Sequence, residues 1–232
     1  MMTKHAGGGL EGAAVLFDLD GTLIDTAEDL AASMNYALGE AGLAPTPARE
    51  VRHLVGHGAR RMLMRGYELA DGRAADEAEL DAALARFLEH YRANIAVHSR
   101  PFDGVIALIE GLRNDGARIA VCTNKREAMA VLLIETLGLA PLFEAIVGAD
   151  TASAPKPDPA PVRLCLERAN AARAVFVGDS DTDIKAAKAA GLPCFVADFG
   201  YGPVTLAAEA AGAFSAYDNA FDKRLRLALG RS

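Results

Sequence analysis

The sequence contains no apolar run long enough to cross a bilayer as a helix, which takes about 20 consecutive residues. Its first residues, MMTKHAGGGL, lack the apolar centre of a signal peptide. Cysteine is scarce: Cys122, Cys165 and Cys194 stand far apart, without the paired spacing of a zinc site. Single thiols inside apolar runs read as buried and reduced, so a cytoplasmic protein is expected. Basic charge is also in deficit, with 24 Lys and Arg against 31 Asp and Glu and a net charge of -7. Such a chain has no general electrostatic pull toward nucleic acid or an anionic membrane, and neither is expected as a partner.

What is present is apolar and patterned. Hydrophobic residues make up 51% of 232 positions, enough for one large domain or one domain carrying an insertion. AAVLF (13–17), RIAVC (118–122), AIVG (145–148), AVFVG (174–178) and LPCFVA (192–197) are short apolar runs with the signature of strands. Helical patterns at 103–114 (with Asp103 as N-cap candidate), 126–137, 160–170 and 183–191 separate most of them. Strands apolar on both faces, alternating with helices, imply an α/β fold with a Rossmann-like parallel sheet covered on both sides.

The interval 27–96 reads differently. It is rich in Ala, Leu, Arg and Glu, has no convincing strand, and breaks near Pro45-Thr46-Pro47, Gly56–Gly58 and Asp71-Gly72. We expect three to five helices there, inserted just after the first strand. The expected organisation is an α/β core from 12–26 and 97–232, an inserted α-helical domain at 27–96 placed as a lid over the end of the first strand, and a disordered leader at 1–11. Residues 221–232 read as a terminal helix with an exposed basic side.

Ligands of open α/β sheets bind at the carboxyl ends of the strands. Here those ends carry Asp18-Leu19-Asp20-Gly21-Thr22, Thr123-Asn124-Lys125, Lys156-Pro157-Asp158 and Asp179-Ser180-Asp181-Thr182-Asp183. Aspartates gathered so closely repel one another unless a cation binds them, and hard carboxylate oxygens suit Mg²⁺. With Mg²⁺ and Lys156 offsetting the charge, a phosphate could approach; one carboxylate could attack phosphorus while another handles protons. Asp18 and Asp20 could straddle the metal, and Gly21 could let backbone amides turn toward the phosphate oxygens.

The strings DLDGTLIDT (18–26), Thr123-Asn124, Lys156-Pro157 and GDSDTD (178–183) resemble, in order, the four signature motifs of the haloacid dehalogenase-like hydrolases. The resemblance implies Asp18 as nucleophile and Asp20 as general acid/base. It implies Thr123, Asn124 and Lys156 as phosphate-binding residues. It further implies Mg²⁺ held by Asp18, the Asp20 backbone carbonyl and Asp179, with Asp183 supporting from behind. An acidic residue at position 20 marks the phosphoryl-transfer members. Among these, TNKREA (123–128), LVGHGARRML (54–63), GDSDTDIKAAKAAGLP (178–193) and FGYG (199–202) are most similar to phosphoglycolate phosphatases. His57 replaces an Asn common in the cap segment, and Arg126 replaces a Pro that often follows the lysine.

The resemblance therefore implies hydrolysis of a small phosphorylated metabolite, 2-phosphoglycolate foremost, by a monomer or homodimer. Alternatives are another phosphomonoester, pyrophosphate, a sugar phosphomutase, or a non-catalytic phosphate-binding module. His57 and Arg60 (and Arg61 beside it) are candidate specificity residues, because an arginine suits a planar carboxylate. His53 and His57, four apart, lack the intervening Glu of a zinc helix. Asp25 and Thr26 are expected to set the hinge into the insert. Asp181 is expected to face solvent or cap the next helix.

Overall fold

The computed structural model describes residues 9–56, 58–202 and 204–230. His57 and residues 1–8 of the expected leader lie outside them. Six parallel strands form one sheet: β1 (Ala13–Phe17), β4 (Arg118–Cys122), β5 (Ala145–Val147), β6 (Arg173–Gly178), β7 (Cys194–Ala197) and β8 (Gly212–Phe214). Their order is β5-β4-β1-β6-β7-β8. β1 is thus central, and every one of its side chains is fully buried. Val15 and Phe17 face the core shared with Ile119, Val121, Val175 and Val177, while Ala14 and Leu16 face that of Ala120, Cys122 and Phe176. The period-2 alternation of a strand divides one apolar run between two cores, as a sheet covered on both faces requires.

Helices α5 (Val105–Asn114), α6 (Glu127–Thr136) and α9 (Asn219–Gly230) supply the first face through residues such as Ile109, Leu133 and Leu225. Helices α7 (Ala160–Arg168) and α8 (Asp181–Ala189) supply the second through Val162, Cys165, Ile184 and Ala187. One expectation needs correction. Gly104, at φ 83°, precedes α5, and Asp103 makes no cap there. Strand β8, Gly212-Ala213-Phe214, carries none of the β-branched residues that mark the other strands of the sheet and is not among the runs that read as strands; it is held by pairing with β7 and by Phe214 stacked 3.7 Å from Phe221.

Residues between β1 and α5 form four helices, α1 (Ala27–Gly39), α2 (Ala48–Arg52), α3 (Ala59–Asp71) and α4 (Glu77–Ala93). They end at the breaks read from the sequence: Gly72 closes α3 in the left-handed conformation, and Asp76 opens α4 with a capping box to Glu79. Met34, Leu38, Leu63, Phe87 and Tyr91 fill their shared interior. The chain leaves and re-enters the sheet layer through a two-stranded antiparallel ribbon, β2 (Ile24–Asp25) with β3 (Arg100–Pro101). Buried Asp29 braces the return, accepting hydrogen bonds from His98 N, Ser99 N and Ser99 Oγ. The helical layer is therefore tied down within a few residues of Asp20. No helix among the described residues is long and apolar enough to cross a membrane.

Candidate active site

The parallel register decides which strand ends meet. Phe17 lies beside Val121 of β4 and Val177 of β6, and the Asp18 amide continues the ladder to the Val177 carbonyl at 2.9 Å. Asp18, Thr123 and Asp179 therefore emerge side by side on one edge. All three are buried, as are Asp20, Lys156 and Asp183.

Lys156 is the electrostatic centre of this group. Its Nζ lies 3.0 Å from Asp18 Oδ1 and donates to Asp183 Oδ1 at 2.6 Å and to the Cys122 carbonyl at 2.7 Å. Burial alone would depress the lysine pKa, but the Asp18 and Asp183 carboxylates outweigh it and raise it. Asp18 Oδ1 also accepts from the Leu19 amide at 2.7 Å, whereas Oδ2 accepts no hydrogen bond among the described residues. Burial, then Asp183 and Asp20, push the Asp18 carboxyl up to about 6 even against Lys156. Asp179 is driven well above its usual range, by burial first and then by Asp18 and Asp183.

One oxygen each of Asp18, Asp179 and Asp183 fall within 4.8 Å of one another. Three buried carboxylates with a single lysine among them make an anionic cluster of hard oxygen donors, suited to a small divalent cation. Asp183, expected behind the metal, belongs to this cluster. Its second oxygen accepts from the Asp179 amide (3.2 Å), the Ser180 amide (3.1 Å) and Ser180 Oγ (2.6 Å). Ser180 is the N-cap of α8 and shares a reciprocal capping box with Asp183. Asp181 is not the cap; it bonds the Leu206 amide and the Thr205 hydroxyl across the surface.

Asp20 points elsewhere. Lys125 Nζ reaches both of its carboxylate oxygens at 2.9 Å, and Thr26 Oγ1 donates to Oδ1 at 2.6 Å. The Asp20 side chain is thus engaged with Lys125 and Thr26 and is not part of the cluster of Asp18, Asp179 and Asp183. Gly21 is engaged locally. Its amide donates to the Ile24 carbonyl at 3.0 Å, so it does not reach toward a phosphate. Its value is steric: φ is 80°, and a Cβ would collide with Asp179 Oδ2 and come within 2.9 Å of the Tyr201 ring. We expect Gly21→Ala to cost about 1–2 kcal/mol in left-handed strain. It should lower turnover out of proportion to that by displacing Asp179; an active variant with only reduced stability would contradict this.

Thr123 Oγ1 accepts from the Lys125 amide at 3.1 Å. Asn124 Nδ2 donates to the Lys156 carbonyl at 3.0 Å, tying the two loops together, while its buried Oδ1 finds no partner among the described residues. Thr123 and Asn124, with Asp18 and Asp20, line a cavity of about 350 Å³ between the sheet edge and the helical layer. Its far wall includes Leu30, Leu84, Phe87, Leu88 and Tyr91. Arg60 also lines it, but its guanidinium is turned to Asp81 (2.6 Å) and Glu77 on the surface.

Sequence reasoning assigned no role to two residues here. Lys125 stood in the TNK string, yet only the fold shows that it faces Asp20. Tyr201 stood in FGYG. Its amide holds Asp179 Oδ2 (3.1 Å), and its hydroxyl accepts from the Thr26 and Ala27 amides (2.5 and 3.1 Å). The hydroxyl also donates to Asp25 Oδ1 at 2.9 Å, and the Tyr201 carbonyl meets His53 Nδ1 at 2.8 Å. The hinge expected at Asp25 and Thr26 is thus pinned by a residue 175 positions away.

A parallel sheet that collects carboxylates and a buried lysine at its carboxyl edge, under a layer of inserted helices, is the scaffold of an α/β hydrolase. The chain belongs to the haloacid dehalogenase-like hydrolase family, whose model matches residues 15–197. It is 48% identical over 189 residues (81% of this chain, 83% of the relative) to a phosphoglycolate phosphatase of Mesorhizobium japonicum. It is 42% identical over 203 residues (87% and 84%) to that of Caulobacter vibrioides. Among solved structures, a predicted phosphoglycolate phosphatase from Haemophilus somnus superposes with a TM-score of 0.82 at 27% identity, over 90% of this chain and 96% of that one. CbbY from Rhodobacter sphaeroides in complex with phosphate gives 0.72 at 26% identity, over 89% and 95%.

Proposed function

We propose that this enzyme is a Mg²⁺-dependent phosphatase that converts 2-phosphoglycolate to glycolate and phosphate through an aspartyl-phosphate on Asp18. The observation that carries the reading is the asymmetry of Asp18. One oxygen is held by Lys156 and the Leu19 amide while the other is left without a partner among the described residues, at the wall of the cavity. The relatives named above support 2-phosphoglycolate as the substrate, and a cavity of about 350 Å³ suits an ester of this size. In this reading residues 27–96 act as the cap and 12–26 with 97–232 as the catalytic core.

Asp18 Oδ2 attacks phosphorus in line, forming the O–P bond as the bond to the glycolate oxygen breaks. Asp20 gives its proton to that leaving oxygen. Water then attacks the aspartyl-phosphate, Asp20 takes its proton, and the O–P bond to Asp18 breaks to release phosphate. Lys156 offsets the charge on the transferring group throughout, and Thr123 and Asn124 border its oxygens. Asp18, Asp179 and the Asp20 backbone carbonyl would hold Mg²⁺, with Asp183 behind them. The bound ion supplies Lewis-acid stabilisation of the phosphoryl oxygens and relieves the repulsion among the carboxylates. The helical layer excludes bulk water from the intermediate.

The test is phosphate release from 2-phosphoglycolate, pyrophosphate and hexose phosphates, before and after chelation. We expect 2-phosphoglycolate to have the highest kcat/KM, and chelation to remove activity that Mg²⁺ restores. Rates indifferent to the chelator would sink the metal's role; preference for another ester would displace the substrate.

A further inference from the structure

The mechanism above gives Lys125 no task, yet it is the most unusual cation in the cavity. Its side chain is 8% exposed and paired with Asp20, itself 8% exposed. The ring of Tyr91, from α4, covers the ammonium 4.8 Å from the ring centroid. The other cationic lining residues are spent or peripheral. Arg60 is paired with Glu77 and Asp81, Arg126 is 65% exposed and paired with Asp150, and Arg61 is exposed. Lys156 is already surrounded by Asp18, Asp183 and a backbone carbonyl.

A buried ammonium cannot go without a counter-charge, because desolvation costs several kcal/mol that an ion pair must offset. Nor can a carboxylate enter a cavity walled by Leu84, Phe87, Leu88 and Met129 without a cation to meet it. An anionic substrate tail and Lys125 therefore each supply what the other needs, and Asp20 is the group that the tail must replace or share.

We propose that Lys125 is the specificity-determining residue of this site: it exchanges all or part of its ion pair with Asp20 for one with the non-phosphate carboxylate of the substrate, under Tyr91. This rests on the assignment of a carboxylate-bearing phosphoester as substrate. A neutral-tailed ester offers Lys125 nothing and leaves it on Asp20. Arg60, the candidate from sequence, sits further out and is neutralised by its own surface partners.

The test compares 2-phosphoglycolate with 2-hydroxyethyl phosphate, which is similar in size but uncharged at the far end. Any effect of Lys125 on Asp20 is common to both substrates and cancels in their ratio of kcat/KM. In Lys125→Met that ratio should fall at least about tenfold relative to wild type, and Lys125→Arg should restore part of it. Equal losses on both substrates would reduce Lys125 to a positioning residue for Asp20 and overturn the proposal. Calorimetric titration with glycolate tests the exchange separately, and does so even if Lys125→Met fails to fold. Asp20→Asn removes the competing carboxylate and should bind glycolate more tightly than wild type; no tightening overturns the exchange. Should wild type prefer the neutral ester, the substrate assignment fails, and the titration alone then decides whether Lys125 binds carboxylates.

Discussion

Asp18→Asn is expected to lower turnover of 2-phosphoglycolate by at least about 10³-fold while leaving the fold intact. An amide has no anionic oxygen to attack phosphorus, and it cannot form the acyl phosphate. The fold should survive because Asp18 is a burden on the metal-free native state. Its carboxyl, raised from 3.8 to about 6, keeps a proton when folded that it loses when unfolded. The unfolded chain therefore binds fewer protons between those values, and stability falls as pH rises through that window. Asp18→Asn removes this loss, and it leaves Lys156 still paired to Asp183 at 2.6 Å. Denaturant unfolding without metal above about pH 6 should find the variant at least as stable as wild type. Retained activity would refute the nucleophile; a large loss of stability would refute the electrostatic account.

Lys156→Met should be damaging in both respects. The lysine is the cation at the centre of the carboxylate cluster, with Nζ 3.0 Å from Asp18 and 2.6 Å from Asp183. Removing one member of a buried ionic group strands the others, at a cost of about 3–5 kcal/mol. Turnover should fall at least about 10²-fold, since the transferring phosphoryl group loses its neighbouring positive charge. The pH dependence separates this from simple loss of packing. With the lysine gone, Asp18 loses the charge that lowers its pKa and holds its proton more tightly in the folded state, so stability should fall more steeply with rising pH than in wild type. Unfolding at about pH 5 and about pH 8 should show a deficit that widens at the higher pH. A deficit independent of pH would mean that the methylene stem, not the charge, is what the site needs.

The contrast between Asp18 and Asp20 shows where reading the sequence stops. Both stand at the end of the same strand, and their spacing alone suggests that they share a ligand. In the fold, Asp18 turns toward Asp179 and Lys156, whereas Asp20 turns toward Lys125 and Thr26. Neighbouring loops decided that orientation. The same holds for Asp183, which is expected from the sequence to support the site from behind and is a fully buried partner of Lys156 in the fold. Tyr201 is the extreme case: it stands in the FGYG string, but its role exists only because the loop after β7 folds back against Thr26 and Asp179.

The sequence by itself determined the elements with a strong local period: the buried central strands, the flanking helices, the helical character of the interval read at 27–96 and the polar groups at each strand end. Those depend on near-neighbour spacing and on which residues can leave water, both written along the chain. The tertiary structure decided which carboxylate faces which cation, the pinning of the hinge, the marginal strand β8, and the shape of the cavity above Asp18. These are contacts between residues tens to more than a hundred positions apart. Their energies come from mutual burial of charge, which has no counterpart in a linear pattern.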